Sequence, residues 1–234
     1  MVLISHPNKV IFVKTKKSAS TSIEESLEYY LIGVPSTGFG EATPERISFE
    51  SYVSSRGLVK GINFMTPHIS TQELVRLLGA ERFASYRKVT CVRNPWDQVV
   101  SFFWWQLRSH PYWLSVASTA PMIILKLWFS IWYFTSKSKV KNLSFTQQLS
   151  LESELPPFHI IRYESAEADI RDLLRILGHS PNEIYLPRRK SNIRSRSEPF
   201  QEYYFDFVQK SVSRSRRRDL ENFGYQWMKE QHAP

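Results

Sequence analysis

The run Val10-Ile11-Phe12-Val13 leads through a short basic, hydroxyl-rich loop into a segment of helical periodicity, and this succession limits the fold more than any other feature. Four apolar residues without alternation read as a strand buried on both faces. Beyond the loop, Ile23, Leu27, Tyr30 and Leu31 fall on one helical stripe, and Gly33 and Pro35 end it. The same order recurs twice. Lys88 to Val92 is a second apolar strand, broken by Arg93-Asn94-Pro95, with a helix from Asp97 that carries Val99, Val100 and Phe103 inward. Phe158 to Tyr163 is a third strand, followed by an amphipathic helix from Ala166 to Leu177 and a stop at Gly178. Strands alternating with helices predict an α/β fold, a central parallel sheet flanked by helices in a single domain.

Other segments are less regular. Ser70-Thr71-Gln72-Glu73 fits a capping box, with Leu74, Leu77 and Leu78 as the apolar face and Gly79 as the stop. Residues 36–67 mix Gly, Pro and Ser and read as irregular connection. Cys91, the one cysteine, lies within an apolar run and reads as a small buried residue. The N-terminus lacks a basic stretch followed by a long apolar one, so no signal peptide is expected. Pro121 to Phe134 is the most apolar stretch, but it contains Lys126 and falls short of the roughly 20 residues that a spanning helix needs. An amphipathic or substrate-facing helix is expected there, with peripheral membrane contact as the lesser alternative. The expectation is a soluble, cytoplasmic protein without a transmembrane segment.

Charge asks for an anionic partner. Lys and Arg number 31 against 22 Asp and Glu, a formal net charge of +9. Two segments supply chemistry for one. In the first, a strand feeds Lys17, Ser18, Ala19, Ser20, Thr21 and Ser22 into a helix start, where free amides and the positive helix end face outward. Lys17 adds a mobile charge and the hydroxyls add donors. Without the glycine spacing of a Walker sequence, the loop is P-loop-like only in its strand–loop–helix plan; a Ser/Thr N-cap with solvated lysines is the plainer alternative. In the second, Arg93 stands at the carboxyl end of a strand, suited to bidentate phosphate binding, with Ser101 two turns into the following helix. The plainer alternative is that Arg93 pairs with a carboxylate while Pro95 starts the helix.

Together these segments resemble the sulfotransferase superfamily, more closely its carbohydrate (Golgi-type and bacterial) branch than its phenol and steroid enzymes. Lys17 to Ser22 is similar to the family's 5′-phosphosulfate loop, and Val92-Arg93-Asn94-Pro95-Trp96-Asp97 with Ser101 is similar to its 3′-phosphate motif. Ile161-Arg162-Tyr163-Glu164, Phe200-Gln201-Glu202-Tyr203-Tyr204 and Asp219 to Tyr225 resemble later family segments in the same order. Two positions depart from the pattern: Lys16 stands for the usual Pro, and Ser18 for the usual Thr, which keeps the hydroxyl. Of Lys14, Lys16 and Lys17, the last fits the spacing.

The resemblance implies 3′-phosphoadenosine 5′-phosphosulfate as donor, its bisphosphate as product, no metal, and an acceptor hydroxyl, on a glycan or other hydroxylated molecule. It implies Lys17 at the bridging oxygen, Ser20 to Ser22 with their amides at the 5′-phosphate, and Arg93 with Ser101 at the 3′-phosphate. Tyr163 would lie near the adenine, and Arg189, Lys190 and Arg194, in the basic run with Arg188 and Arg196, would close over the donor. It divides the chain into a donor core (about 8–105 and 155–200), acceptor-side and irregular segments (about 36–68 and 106–155) and a C-terminal helical segment (about 200–230). A bacterial source fits that branch. His68, ahead of the capped helix, is the candidate base by the same resemblance, with Glu24 or Glu25 as rivals. His159, inside a strand, reads as core, and Arg214, Arg216, Arg217 and Arg218 as a solvated helix face. Two other functions compete. A P-loop-type nucleotide kinase wants glycines and a magnesium-binding carboxylate where Arg93 stands. A basic nucleic-acid-binding protein would explain the charge, but no recognised fingerprint is present, so no nucleic-acid partner is expected.

Overall fold

The computed structural model describes residues 2–32, 52–53, 71–149, 158–187 and 194–227, and it begins with a strand that the sequence pattern does not announce. β1 (Val2–Ser5) is only four residues long and buried throughout. Its turn runs through His6, Pro7, Asn8 and Lys9, closed by the Lys9 amide donating to the His6 carbonyl at 3.2 Å. Lys9 takes a left-handed conformation (φ 49°), and Pro and Asn are the residues such turns favour. The chain returns as β2 (Val10–Val13), the run expected from sequence.

The remaining elements are α1 (Ser20–Ile32), β3 (Tyr52–Val53), α2 (Thr71–Leu78), α3 (Ala80–Ser85) and β4 (Arg87–Val92), then α4 (Pro95–Leu107), α5 (Pro111–Thr119), α6 (Met122–Thr135), α7 (Lys137–Lys141) and α8 (Phe145–Gln148). β5 (Phe158–Arg162), α9 (Ala166–Ile176), α10 (Asp206–Ser215) and α11 (Arg217–Phe223) complete the order, with 3-10 turns at Tyr163–Ser165 and Phe200–Tyr203. The sheet order is β3-β1-β2-β4-β5, four strands with the two-residue β3 at one edge. β2, β4 and β5 run parallel, but β1 is antiparallel to both β2 and β3. The sheet is therefore mixed, which corrects the wholly parallel expectation. The reason is the length of the first connection, because a link of four residues can only form a hairpin.

The chain gathers into two compact units, Met1–Val92 with Gln147–Arg189, and Arg93–Thr146 with Lys190–Pro234. In the first, Leu3, Phe12, Val89 and His159 align across four strands. Leu3, Phe12 and Val89 share a core with Ile23 and Leu27 of α1 and Ile170, Leu173 and Leu174 of α9. His159 is half-buried on that row, its Nε2 3.3 Å from the Asp169 carbonyl on α9. Ile4, Ile11 and Val13, on the alternate positions, are equally buried, so both sheet faces are covered. That explains why β2 shows no alternation.

In the second unit, Val99, Val100, Phe103 and Trp104 of α4 pack with Leu125, Phe129 and Tyr133 of α6 and with Tyr203 and Tyr204. The described part of the acceptor-side and irregular segment (about 106–155) is mostly helical, as α5, α6, α7 and α8, and α6 covers the Pro121 to Phe134 stretch where a helix is expected. Apolar residues occur on every side of α6, so no polar face sets its orientation in the sequence. Arg216 corrects a second expectation. It is 1% exposed rather than solvated, while its neighbour Arg217 does face water. Arg216 Nε lies 2.7 Å from Asp219 Oδ2, an ion-pair contact rather than an aligned hydrogen bond. Its other nitrogens reach Gln98 of α4 and the Val140 carbonyl. Asp219, fully buried, accepts from the Ser144 hydroxyl at 3.0 Å, the Thr146 amide at 2.9 Å and the Thr146 hydroxyl at 2.7 Å. Burial pulls the Arg216 guanidinium below its ordinary value, and Asp219 opposes that.

Removing one member of such a pair leaves the other charge buried alone. Asp219→Ala is expected to destabilise the chain by about 3–5 kcal/mol, read as a lower denaturant midpoint. Adding Arg216→Met to that variant is expected to restore part of the loss.

Candidate functional site

Because β2, β4 and β5 are parallel, their carboxyl ends share one edge of the sheet, the edge where open α/β folds bind ligands. The loop Lys14–Ala19 leaves β2 there and Tyr163 leaves β5, while Arg93 is the first residue after β4 in the chain.

The loop is held by its hydroxyls. Thr15 is buried, and its Oγ1 donates to the Cys91 carbonyl on β4 and lies 2.6 Å from Ser18 Oγ. Ser18, also fully buried, donates to the Thr15 carbonyl at 3.1 Å and sits 3.0 Å from Cys91 Sγ. Ser20 donates to the same Thr15 carbonyl at 2.9 Å, and the Lys16 amide donates to Gln148 Oε1 at 2.7 Å. The side chains of Ser18 and Ser20 thus brace the loop. Lys17 (φ 61°) and Ala19 (φ 57°) are both left-handed, on either side of Ser18. A non-glycine residue pays for this conformation, and left-handed residues in alternation are a feature of the backbone turns called anion nests. The Ser22 and Ile23 amides then bond to the Ala19 carbonyl, which opens α1 with no acidic side chain in its first turn.

The three lysines differ. Lys14 is buried and ion-paired with Glu24, itself fully buried, whereas Lys16 and Lys17 are partly exposed. Glu25 is fully buried and accepts from the Tyr185 hydroxyl at 3.4 Å. Tyr163 is 42% exposed on its turn. His68, Arg189 and Lys190 lie outside the described residues, as does Ser70 of the capping box.

In the second unit, the Asn94 side chain caps α4 by accepting from the Trp96 and Asp97 amides, and Pro95 occupies its first turn. Arg93 Nε donates to Asp97 Oδ2 at 2.6 Å, so the carboxylate partner weighed for Arg93 is present. The same carboxylate takes Arg194, whose Nη1 lies 3.3 Å from Asp97 Oδ1. Two candidate donor-binding arginines, far apart in sequence, therefore meet on one acid. Arg194 also donates to the Glu198 carbonyl and stacks 5.0 Å from the Tyr203 ring, and its buried Nε has no hydrogen-bond partner. Ser101, partly buried, lies one turn along α4 from Asp97, on the same helix face. Guanidinium groups gathered in this way suit bidentate binding of an anion.

Sequence reasoning missed Thr15 and Asp97. Asp97 was available as the i+4 partner of Arg93. Thr15 carried no signal, because its partner lies 76 residues away. Among the described residues, no three His, Cys, Asp or Glu side chains form a metal-ligating cluster, and no helix is long and apolar enough to cross a membrane. The chain matches no protein-family model, no curated protein and no solved structure.

Burial raises the Cys91 thiol above its ordinary value, against the lowering effect of the Ser18 and Thr15 hydrogen bonds. A thiol reagent at mildly alkaline pH is therefore expected to label Cys91 only when the chain unfolds. Above the usual thiol range the unfolded chain releases this proton and the native one holds it, so stability is expected to fall as pH rises there. Fast labelling of the native protein would contradict this packing of the loop.

Proposed function

We propose that this chain is a sulfotransferase, moving the sulfuryl group of 3′-phosphoadenosine 5′-phosphosulfate to an acceptor hydroxyl, on a carbohydrate in particular. The observation that carries the proposal is the meeting of Arg93 and Arg194 on Asp97, which brings two guanidinium groups together at the motif that resembles a 3′-phosphate site. The left-handed Lys17 and Ala19 add a second, independent anion geometry at the motif that resembles a 5′-phosphosulfate loop.

In this proposal the acceptor oxygen attacks sulfur in line with the S–O bond to the 5′-phosphate. That bond breaks, and the leaving phosphate gains negative charge. The Ser20 and Thr21 amides, the Ser22 hydroxyl and the Lys17 ammonium receive it, so the donors are aimed where charge develops. Arg93, oriented through Asp97, binds the 3′-phosphate with Ser101 and Arg194. Arg189 and Lys190 close over the donor, and Tyr163 offers an exposed ring for the adenine. The acceptor's proton passes to His68. Glu24 and Glu25, the rival bases, are engaged by Lys14 and the Tyr185 hydroxyl, which favours the histidine.

Two measurements test the proposal. Thermal unfolding is expected to shift upward with adenosine 3′,5′-bisphosphate, because a ligand of the native state stabilises it by mass action, by about 2.7 kcal/mol at a hundred times its Kd. A shift with ATP-magnesium or single-stranded oligonucleotide and none with the bisphosphate would overturn it. With labelled donor and a panel of acceptors, Lys17→Ala and Arg93→Ala are each expected to lower transfer by at least about 10²–10³-fold with the fold intact. Near-normal turnover in His68→Ala would move the base elsewhere.

A further inference from the structure

We infer that the outer face of α6 docks on an anionic lipid surface, an inference independent of the transferase proposal. Ile123, Ile124, Leu127, Ile131 and Phe134 are 41–66% exposed. At 100° per residue these five positions fall within an arc of about 100°, one continuous apolar stripe along the helix. The opposite side of α6 is buried through Leu125, Phe129 and Tyr133, so the helix is apolar on both its inner and outer faces. Helices apolar all round belong inside a protein or in contact with lipid. At 14 residues α6 is about 21 Å long, too short to span a bilayer and suited to lying in its surface.

Charge names the occupant. From Gln98 to Ser150 there is no Asp or Glu, while Arg108, Lys126, Lys137, Lys139 and Lys141 supply five positive charges. Lys137 stands at the end of the stripe, its Nζ 4.5 Å from the Phe134 ring, and Lys139 and Lys141 continue along α7. Five of the chain's seven tryptophans fall in this stretch, and Trp113, beside α6 through its contact with Trp128, is 50% exposed. An aliphatic stripe with amphipathic aromatics and a cationic margin matches acyl chains beneath anionic headgroups. A sugar would be met by an exposed aromatic platform rather than by isoleucines. A second copy related by a two-fold axis would bring the same lysines face to face.

The test is co-sedimentation of the full chain with vesicles of phosphatidylcholine alone and with about a third phosphatidylglycerol, at low and high salt. Binding to the anionic vesicles is expected, weakened by salt as surface charge is screened. Leu127→Glu and Ile131→Glu, both at exposed positions, are expected to lower the partition about tenfold or more with unchanged thermal unfolding. Ile176→Glu, an exposed apolar residue of the other unit, is expected to leave it unchanged. No binding to either vesicle, equal binding to both at every salt, or a lipid-free dimer in sedimentation velocity that Ile131→Glu dissociates would each overturn the inference.

Discussion

The parallel pairing of β2 with β4, stapled at its carboxyl end by Thr15, is the interaction on which the candidate donor loop depends. The pairing ends at Val13 and Thr90, and Thr90 Oγ1 donates to the Val13 carbonyl at 2.9 Å. Thr15 then reaches the Cys91 carbonyl, so the sheet continues for two residues through side chains after the backbone ladder stops. Each such bond contributes only about 1 kcal/mol net, but leaving a buried hydroxyl or carbonyl unmade costs about 1–3 kcal/mol. The loop is thus fixed more by what it would lose on moving than by what it gains where it is. That constraint holds Lys17 and Ala19 in conformations they would otherwise avoid.

The second unit solves a similar problem with charge. Arg216 and Asp219 close the C-terminal segment onto α4, α7 and α8 through Gln98, Val140 and Thr146. A buried pair of this kind adds little over well-packed apolar residues, yet it penalises any arrangement that separates its members. It therefore specifies where the last helices go rather than how strongly they are held. The aromatic core around Phe103, Phe129 and Tyr203 supplies the apolar burial.

What was legible in the sequence follows from this division. β2, α1, β4, α4, β5 and α9 are bounded by breakers or carry a clean period, and their positions could be read. β1 is four residues without alternation, and its hairpin turn hides in Pro7-Asn8, so the antiparallel edge of the sheet was not foreseen. A helix was legible over Pro121 to Phe134, but α6 is apolar on all sides, so which side faces the core was not. At the site, types of residue were legible and partnerships were not. Arg93 and Arg194 were both candidates for anion binding, but that they share Asp97 is a tertiary fact. Arg216 looked like its solvated neighbours because nothing in a run of arginines marks which one turns inward.

The bracing role of the serines changes what the loop sequence can mean. Ser18 stands where the resembled family carries Thr, and a retained hydroxyl first suggests a retained ligand contact. Here that hydroxyl faces Thr15 and Cys91 and is fully buried, so it acts on the loop rather than on an anion. The affinity of such a loop would then reside mainly in backbone amides and the Lys17 ammonium, groups that every residue type or one lysine can supply. A Thr at position 18 would add a methyl group beside Cys91 in a packed interior, where one methylene is already felt. Packing beside a buried cysteine therefore favours the smaller Ser, and leaves the chemistry proposed for the loop unchanged.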